Sequence, residues 1–244
     1  MYEVFIKLCS IVNCPRAYVE HTVNQLKNLG VTELINEGPI EFISGIRLLG
    51  KGQNSFVFKC KVSGLEGYYA CKVRRHDSPR PSLINEASNL KLANEVNVGP
   101  LLINYSADAL VMEYINGVPL GEYISQASHD SIKAVVKELL TQGFRLDSIG
   151  LIHNELSRVK EHVIIGNRVY IIDFESASRS TRSTTNVTQL ASALILGKGA
   201  VQDKVRGILN IEDTGALVKL LKSYKANPSQ HTFNLILKAL GLMN

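Results

Sequence analysis

Between residues 46 and 73 the hydrophobic pattern becomes that of strands, and this restricts the architecture more than any other feature of the chain. The runs 46–50, 55–62 and 68–73 are rich in Val, Ile, Phe and Tyr and are separated by glycine-containing turns. They predict three successive antiparallel strands. After Pro79 and Pro81, Ser82 serves as the cap of a helix over residues 83–94, which Gly99-Pro100 cannot continue. Strand-like runs follow at 101–104 and 109–114. Beyond Gly121 the pattern is mainly helical, with Ile132, Val135, Val136, Leu139, Leu140 and Phe144 forming a broad apolar stripe. Two short β-prone segments, 162–165 and 168–172, interrupt it and meet at a Gly166-Asn167 hairpin turn; helical patterns then continue to Leu240. The order predicts an α+β chain: a small antiparallel sheet carrying one helix, followed by a mainly helical half.

Ahead of the strands, Val19, Val23 and Leu26 recur at helical spacing, which predicts a helix over residues 15–30. A second short helical piece is expected over 31–35, ending at Glu37-Gly38-Pro39. The chain then divides into a helical extension (1–40), a sheet-rich part (41–115) and a helical part (116–244). Among the 244 residues no apolar run approaches the ~18 needed to cross a bilayer. The first residues mix Glu3 and Lys7 with apolar side chains, unlike a targeting segment. The expectation is a cytoplasmic chain with no membrane partner. Four cysteines lack any CxxC spacing and read as reduced, mostly buried thiols. A net charge of +5 suits a polyanionic ligand such as a nucleotide, but equally RNA or an acidic protein.

Four features carry chemistry. Gly50-Lys51-Gly52-Gln53-Asn54-Ser55-Phe56-Val57 lies between two strands, where backbone lacking a Cβ can approach phosphate oxygens; an ordinary hairpin turn is the other reading. Because a strand follows the glycines, this is not a dinucleotide fingerprint. Lys72 sits in the apolar strand Tyr69-Ala70-Cys71-Lys72-Val73. On the following helix, 100° steps put Glu86 on the stripe of Leu83, Ala87, Leu90 and Ala93, so this carboxylate needs a cation. Lys72, fourteen positions upstream, supplies one. A buried Lys–Glu pair contributes little net stability, which favours a functional reading: an ammonium held ready for nucleotide phosphates. Further on, His153-Asn154-Glu155 precedes the hairpin, and the apolar strand 169–172 ends at Asp173, where a carboxylate either coordinates a divalent cation or caps a turn.

In this order the motifs resemble those of the protein-kinase superfamily, from about residue 46 to 178, with Leu110-Val-Met-Glu113-Tyr114 matching the inter-lobe hinge. The absence of an Ala-Pro-Glu element and the run Asp173-Phe-Glu-Ser-Ala-Ser make the chain similar to small atypical kinases of the RIO type, and among those to predicted archaeal Ser/Thr kinases. The resemblance implies a two-lobed, reduced kinase fold that uses ATP and Mg2+. It implies that Gly50, Lys51, Gly52, Ser55 and Val57 cover the nucleotide with Ala70, that Lys72 paired to Glu86 contacts phosphates, and that main chain at Glu113 and Tyr114 receives adenine. Asp173 then binds magnesium and Glu155 takes the place of the catalytic aspartate. The second metal ligand, an Asn in kinases, falls at Lys160, or at His162 if the loop carries two extra residues. Glu175, replacing the glycine of Asp-Phe-Gly, is another metal contact. The leading expectation is a Ser/Thr protein kinase with a protein substrate; a small-molecule kinase and a nucleotide-sensing module with little turnover stay open. RNA or ribosome association is permitted by the N-terminal helices and the basic charge. The segment 176–188, dense in Ser and Thr with Arg179 and Arg182, reads either as an autophosphorylation segment or as a solvated loop.

Overall fold

The computed structural model describes residues 1–42, 45–180 and 185–243, and their side chains apart from those of residues 10–12. Arg182 and its neighbours at 181–184 lie outside the described residues. Two compact units emerge, one of Met1–Lys91 and Pro100–Ile115, the other of Leu92–Gly99 and Asn116–Asn244. No helix among the described residues is long and apolar enough to cross a membrane.

The first unit opens with helices α1 (Tyr2–Val12) and α2 (Arg16–Asn28), then strands β1 (Val31–Ile35), β2 (Ile40–Phe42), β3 (Ile46–Leu48), β4 (Gly50–Lys51), β5 (Ser55–Val62) and β6 (Tyr69–Arg74). Helix α3 (Ile84–Glu95) and the strands β7 (Leu102–Tyr105) and β8 (Ala109–Glu113) follow. The antiparallel sheet runs β1-β5-β6-β8-β7, with β4 also on β5. Segment 31–35, expected to be helical, is thus an edge strand paired to β5. Five residues are too few to nucleate a helix that tertiary packing does not reward, whereas Val-Thr-Glu-Leu-Ile suits the open edge of β5. The early run 46–50 also splits. Its first part pairs with β2 and its last residue with β5.

Strand alternation sorts the side chains of this sheet onto two faces. Phe56, Phe58 and Cys60 of β5, Cys71 and Val73 of β6, and Ala109 and Val111 of β8 share one apolar cluster with Phe5, Leu8, Val19, Val23 and Leu26 of α1 and α2. Phe5 and Phe58 meet edge to face, 5.5 Å between ring centres. Each such burial contributes roughly 1.5–3 kcal/mol, so α1 and α2 brace the sheet as part of its core. On the other face Leu110 packs against Leu83 and Ala87 at the start of α3. Lys72 is in register with Leu110 and therefore lies on the α3 side. The expected reduced thiols are corrected here, since Cys9 is joined to Cys14 and Cys60 to Cys71 as disulfides. A helix end and two adjacent strands bring each pair together, a proximity that sequence spacing does not display.

In the second unit, β9 (Val118–Pro119) and α4 (Leu120–Gln126) lead to α5 (His129–Ser148), capped by Ser128, whose hydroxyl accepts from Ser131 N. The predicted stripe Ile132, Val135, Val136, Leu139 and Leu140 is buried. Strand β10 (Leu151–Ile152), the short α6 (Val159–His162), β11 (Val163–Ile165) and β12 (Val169–Ile171) come next. β11 pairs with β12 as the predicted hairpin and with β9 on its other side. After β13 (Ser178–Arg179), which pairs with β10, come α7 (Asn186–Ala191), α8 (Ala200–Ile208), α9 (Thr214–Ala226) and α10 (Gln230–Ala239). Phe144 of α5 stacks on Phe233 of α10 at 4.5 Å.

Candidate active site

In the first unit, Lys72 Nζ donates to Glu86 Oε1 at 2.7 Å, with only 6% and 4% of the two side chains exposed. The pair forms because period two aims Lys72 at α3 and period 3.6 aims Glu86 back at the sheet. Val57, opposite Lys72 on β5, is half-buried, and Ala70 is buried two residues before the lysine. The glycine-rich segment is a tight turn in which Gly52 N donates to Ser55 O at 2.9 Å. Neither Gly50 nor Gly52 has a positive φ, so conformation does not demand glycine there. Around Gly52, a Cβ would meet nothing closer than 3.8 Å, which leaves exposed main chain that another molecule can approach. Ser55 is buried, and the Lys51 ammonium lies 4.3 Å from the centre of the Phe42 ring. Glu113 N donates to Leu101 O at 2.8 Å, and its carboxylate accepts from Leu101 N. Tyr114 is half-buried, with Lys59 Nζ 5.0 Å from its ring centre.

In the second unit, the donor atoms of Glu155, His162 and Asp173 lie within 4.8 Å of one another. Glu155 precedes the 3-10 turn Leu156–Arg158, and Arg158 donates to its Oε1. Its Oε2 stands 4.0 Å from His162 Nε2, beyond hydrogen-bonding reach. His162 ends α6, immediately before β11. Lys160 is exposed on that same turn. Asp173 follows β12 in a left-handed conformation, φ 68°, a geometry in which Asp and Asn are the favoured non-glycine residues. Glu175, half-buried in the next turn, stands outside the trio.

His153 is wholly buried, and its Nε2–H donates to Ile172 O at 3.0 Å. Burial pushes its pKa down to about 4, against a rise from that carbonyl bond, so the ring is neutral near pH 7. It functions as a strut, holding the Glu155 loop to the end of the Asp173 strand. Asn154, at φ 69°, braces the same loop by donating to Ser176 O and Ser178 Oγ.

The family described as RIO domain matches residues 58–186, more than half of the chain. This chain belongs to the RIO domain family. An uncharacterized protein of Methanocaldococcus jannaschii, MJ1211, is 31% identical over 116 residues, a match that covers 47% of this chain and 98% of that protein. Among solved structures, the Cydia pomonella Granulovirus kinase PK-1 shares the fold with a TM-score of 0.53 at 13% identity, covering 93% of each chain. The family and the kinase-like fold support assignment as a kinase-like phosphotransferase. The RIO match includes Lys72, Glu86, Glu113, Tyr114, Glu155, His162, Asp173 and Glu175, while the glycine-rich segment lies just before it.

The second unit also contains a polar network that sequence reasoning missed. Asn186 Oδ1 accepts the His153 backbone N–H at 2.9 Å, and its amide donates to Leu151 O and to Asp147 Oδ1. Asp147 further accepts from Asn186 N, Val187 N and the Tyr224 hydroxyl. Burial raises the Asp147 pKa, an effect that these four donors counter only in part. One signal was available: Asp147 is an acid on the mainly apolar buried face of α5, the same argument that singled out Glu86.

Proposed function

We propose that this RIO domain is an ATP-dependent phosphotransferase acting on Ser or Thr hydroxyls of a protein. The observation that carries the reading is the buried Lys72–Glu86 pair. Breaking even is the usual outcome for such a pair, so the domain gains chiefly a cation fixed in direction. In the first unit, Lys72 would meet the α- and β-phosphates of ATP, with Gly50, Lys51, Gly52 and Ser55 covering them and Val57 and Ala70 flanking the base. The Glu113 amide is already bonded to Leu101, so adenine recognition falls to the main chain around Tyr114.

In the second unit, Asp173 would hold the divalent cation, with Glu155 and His162 beside it; the two carboxylates suit Mg2+, whereas the imidazole nitrogen is an unusual donor for so hard an ion. Such a cation supplies neutralisation of the charge that develops on the transferred phosphoryl group. Glu155 would orient the attacking hydroxyl and accept its proton. His153, neutral and tied to Ile172, fixes the loop that presents Glu155.

The acceptor class is tested by supplying γ-labelled ATP with basic and acidic protein acceptors beside alcohol metabolites, followed by phosphoamino-acid analysis. Label on Ser or Thr of protein, absent with Asp173→Ala, supports the reading. Label on alcohols alone makes it a small-molecule kinase. A second reading, a nucleotide sensor with little turnover, is favoured by one observation: Glu155 is already engaged by Arg158. ATP binding without transfer to any acceptor would select it.

A further inference from the structure

His162 is one of two candidates for the position where the kinase pattern has a metal-binding Asn, and it brings an imidazole in place of an amide oxygen. Only 7% of its side chain is exposed, and neither Nδ1 nor Nε2 has a hydrogen-bond partner. A core histidine normally satisfies at least one nitrogen, as His153 does through Ile172. The ring meets His153 edge to face at 5.5 Å, but an imidazole buried with both nitrogens idle carries a desolvation cost that no hydrogen bond offsets. Its nearest oxygen, Glu155 Oε2, is 4.0 Å away, and Asp173 completes a set within 4.8 Å. Two donors on opposite sides of a divalent ion with bonds of about 2.1–2.2 Å stand about 4.2–4.4 Å apart. The Glu155–His162 separation is close to that span, while a third donor on the same ion stands about 3.0–3.5 Å from the other two, so Asp173, within 4.8 Å of them, closes on the ion by a side-chain movement of at most about 2 Å.

The geometry points to a mixed nitrogen–oxygen metal site, made by His162 Nε2, Glu155 Oε2 and Asp173, that holds a transition-metal dication of the Mn2+ to Zn2+ series in preference to Mg2+ and without nucleotide. Selection follows from the donors: imidazole suits these ions, while Mg2+ prefers oxygen and gives up its water reluctantly. Coordination through Oε2 leaves Oε1, now facing Arg158, as the oxygen that meets an acceptor hydroxyl. This deepens the phosphotransferase reading and rests on it for the role of Asp173, but the site needs no ATP to form.

The test uses the full chain, freed of metal by chelation and loaded with Mn2+ alone, read by electron spin echo modulation and by Mn2+ titration with Mg2+ as competitor. Expected are one bound Mn2+ per chain, nitrogen modulation from a directly bound imidazole, and retention of Mn2+ against a large excess of Mg2+. His162→Asn, an oxygen-donor replacement, should abolish the nitrogen signal, weaken Mn2+ roughly ten- to hundredfold and let Mg2+ compete. Absence of nitrogen modulation in the wild type, a result independent of how any variant folds, overturns the assignment, as does ready displacement by Mg2+. If ATP binds and transfer occurs but no nitrogen signal appears, the metal assignment falls and the phosphotransferase stands. If the signal appears and phosphotransfer is absent, the site stands and the phosphotransferase reading falls.

Discussion

The two candidate sites differ in how their charge is balanced. In the first unit a cation and an anion meet at 2.7 Å inside apolar packing. In the second, two carboxylates share a site with an imidazole that has no hydrogen-bond partner. The first arrangement balances its charge within the pair and presents one ammonium in a fixed direction. The second is organised for something positive to arrive. Damage to the Lys72 pair should therefore appear as lost stability, whereas damage at His162 should appear as altered ligand binding with the fold intact.

The largest effect expected is from Lys72→Met, which takes away the cation paired with the buried Glu86 carboxylate and should cost about 3–5 kcal/mol in urea unfolding. A loss below about 1 kcal/mol would mean that the pair is not buried in solution and would erase the contrast. Next comes pH. The His153 pKa is about 4 when folded, against an ordinary 6.5. Its contribution is present above pH 6.5 and is lost as pH falls toward 4, by roughly 3 kcal/mol. The melting temperature should decline across that window, and less so in His153→Asn.

Asp147→Asn turns an acceptor of four hydrogen bonds into a group with two donors of its own, and should cost about 2–3 kcal/mol by chemical denaturation. It should also loosen the Glu155 loop, seen as faster amide exchange at His153, whose N–H reaches Asp147 only through Asn186. The smallest effect is the sharpest test of the comparison. His162→Leu removes idle polar atoms and should leave the metal-free protein unchanged or more stable by about 1 kcal/mol. A loss of several kcal/mol would mean that His162 is structural.

Much of this was legible in the sequence because two periodicities were read against each other. Strand alternation and helical spacing alone point Lys72 and Glu86 at one another, as their 2.7 Å contact bears out. Asp173 was legible for a similar reason, as an acid that closes an apolar strand. Val31–Ile35 was misread because a five-residue edge strand is defined by its partner β5, which lies far along the chain. The disulfides escaped notice because Cys60 and Cys71 are brought together by strand register and not by motif spacing. Asn186 was missed because a buried amide that holds another loop's backbone has no local signature. Its partner Asp147 did have one, an acid on an apolar stripe.

The measurement that tests the central claim most directly is transfer from γ-labelled ATP by the wild type, Lys72→Met and Asp173→Ala, with Mg2+ and Mn2+ compared and nucleotide binding followed in parallel. The account predicts transfer by the wild type, sustained best by Mn2+, and a loss on the order of a hundredfold or more in both variants. Transfer that persists in Asp173→Ala, or a wild type that neither binds ATP nor transfers its phosphoryl group, would contradict it.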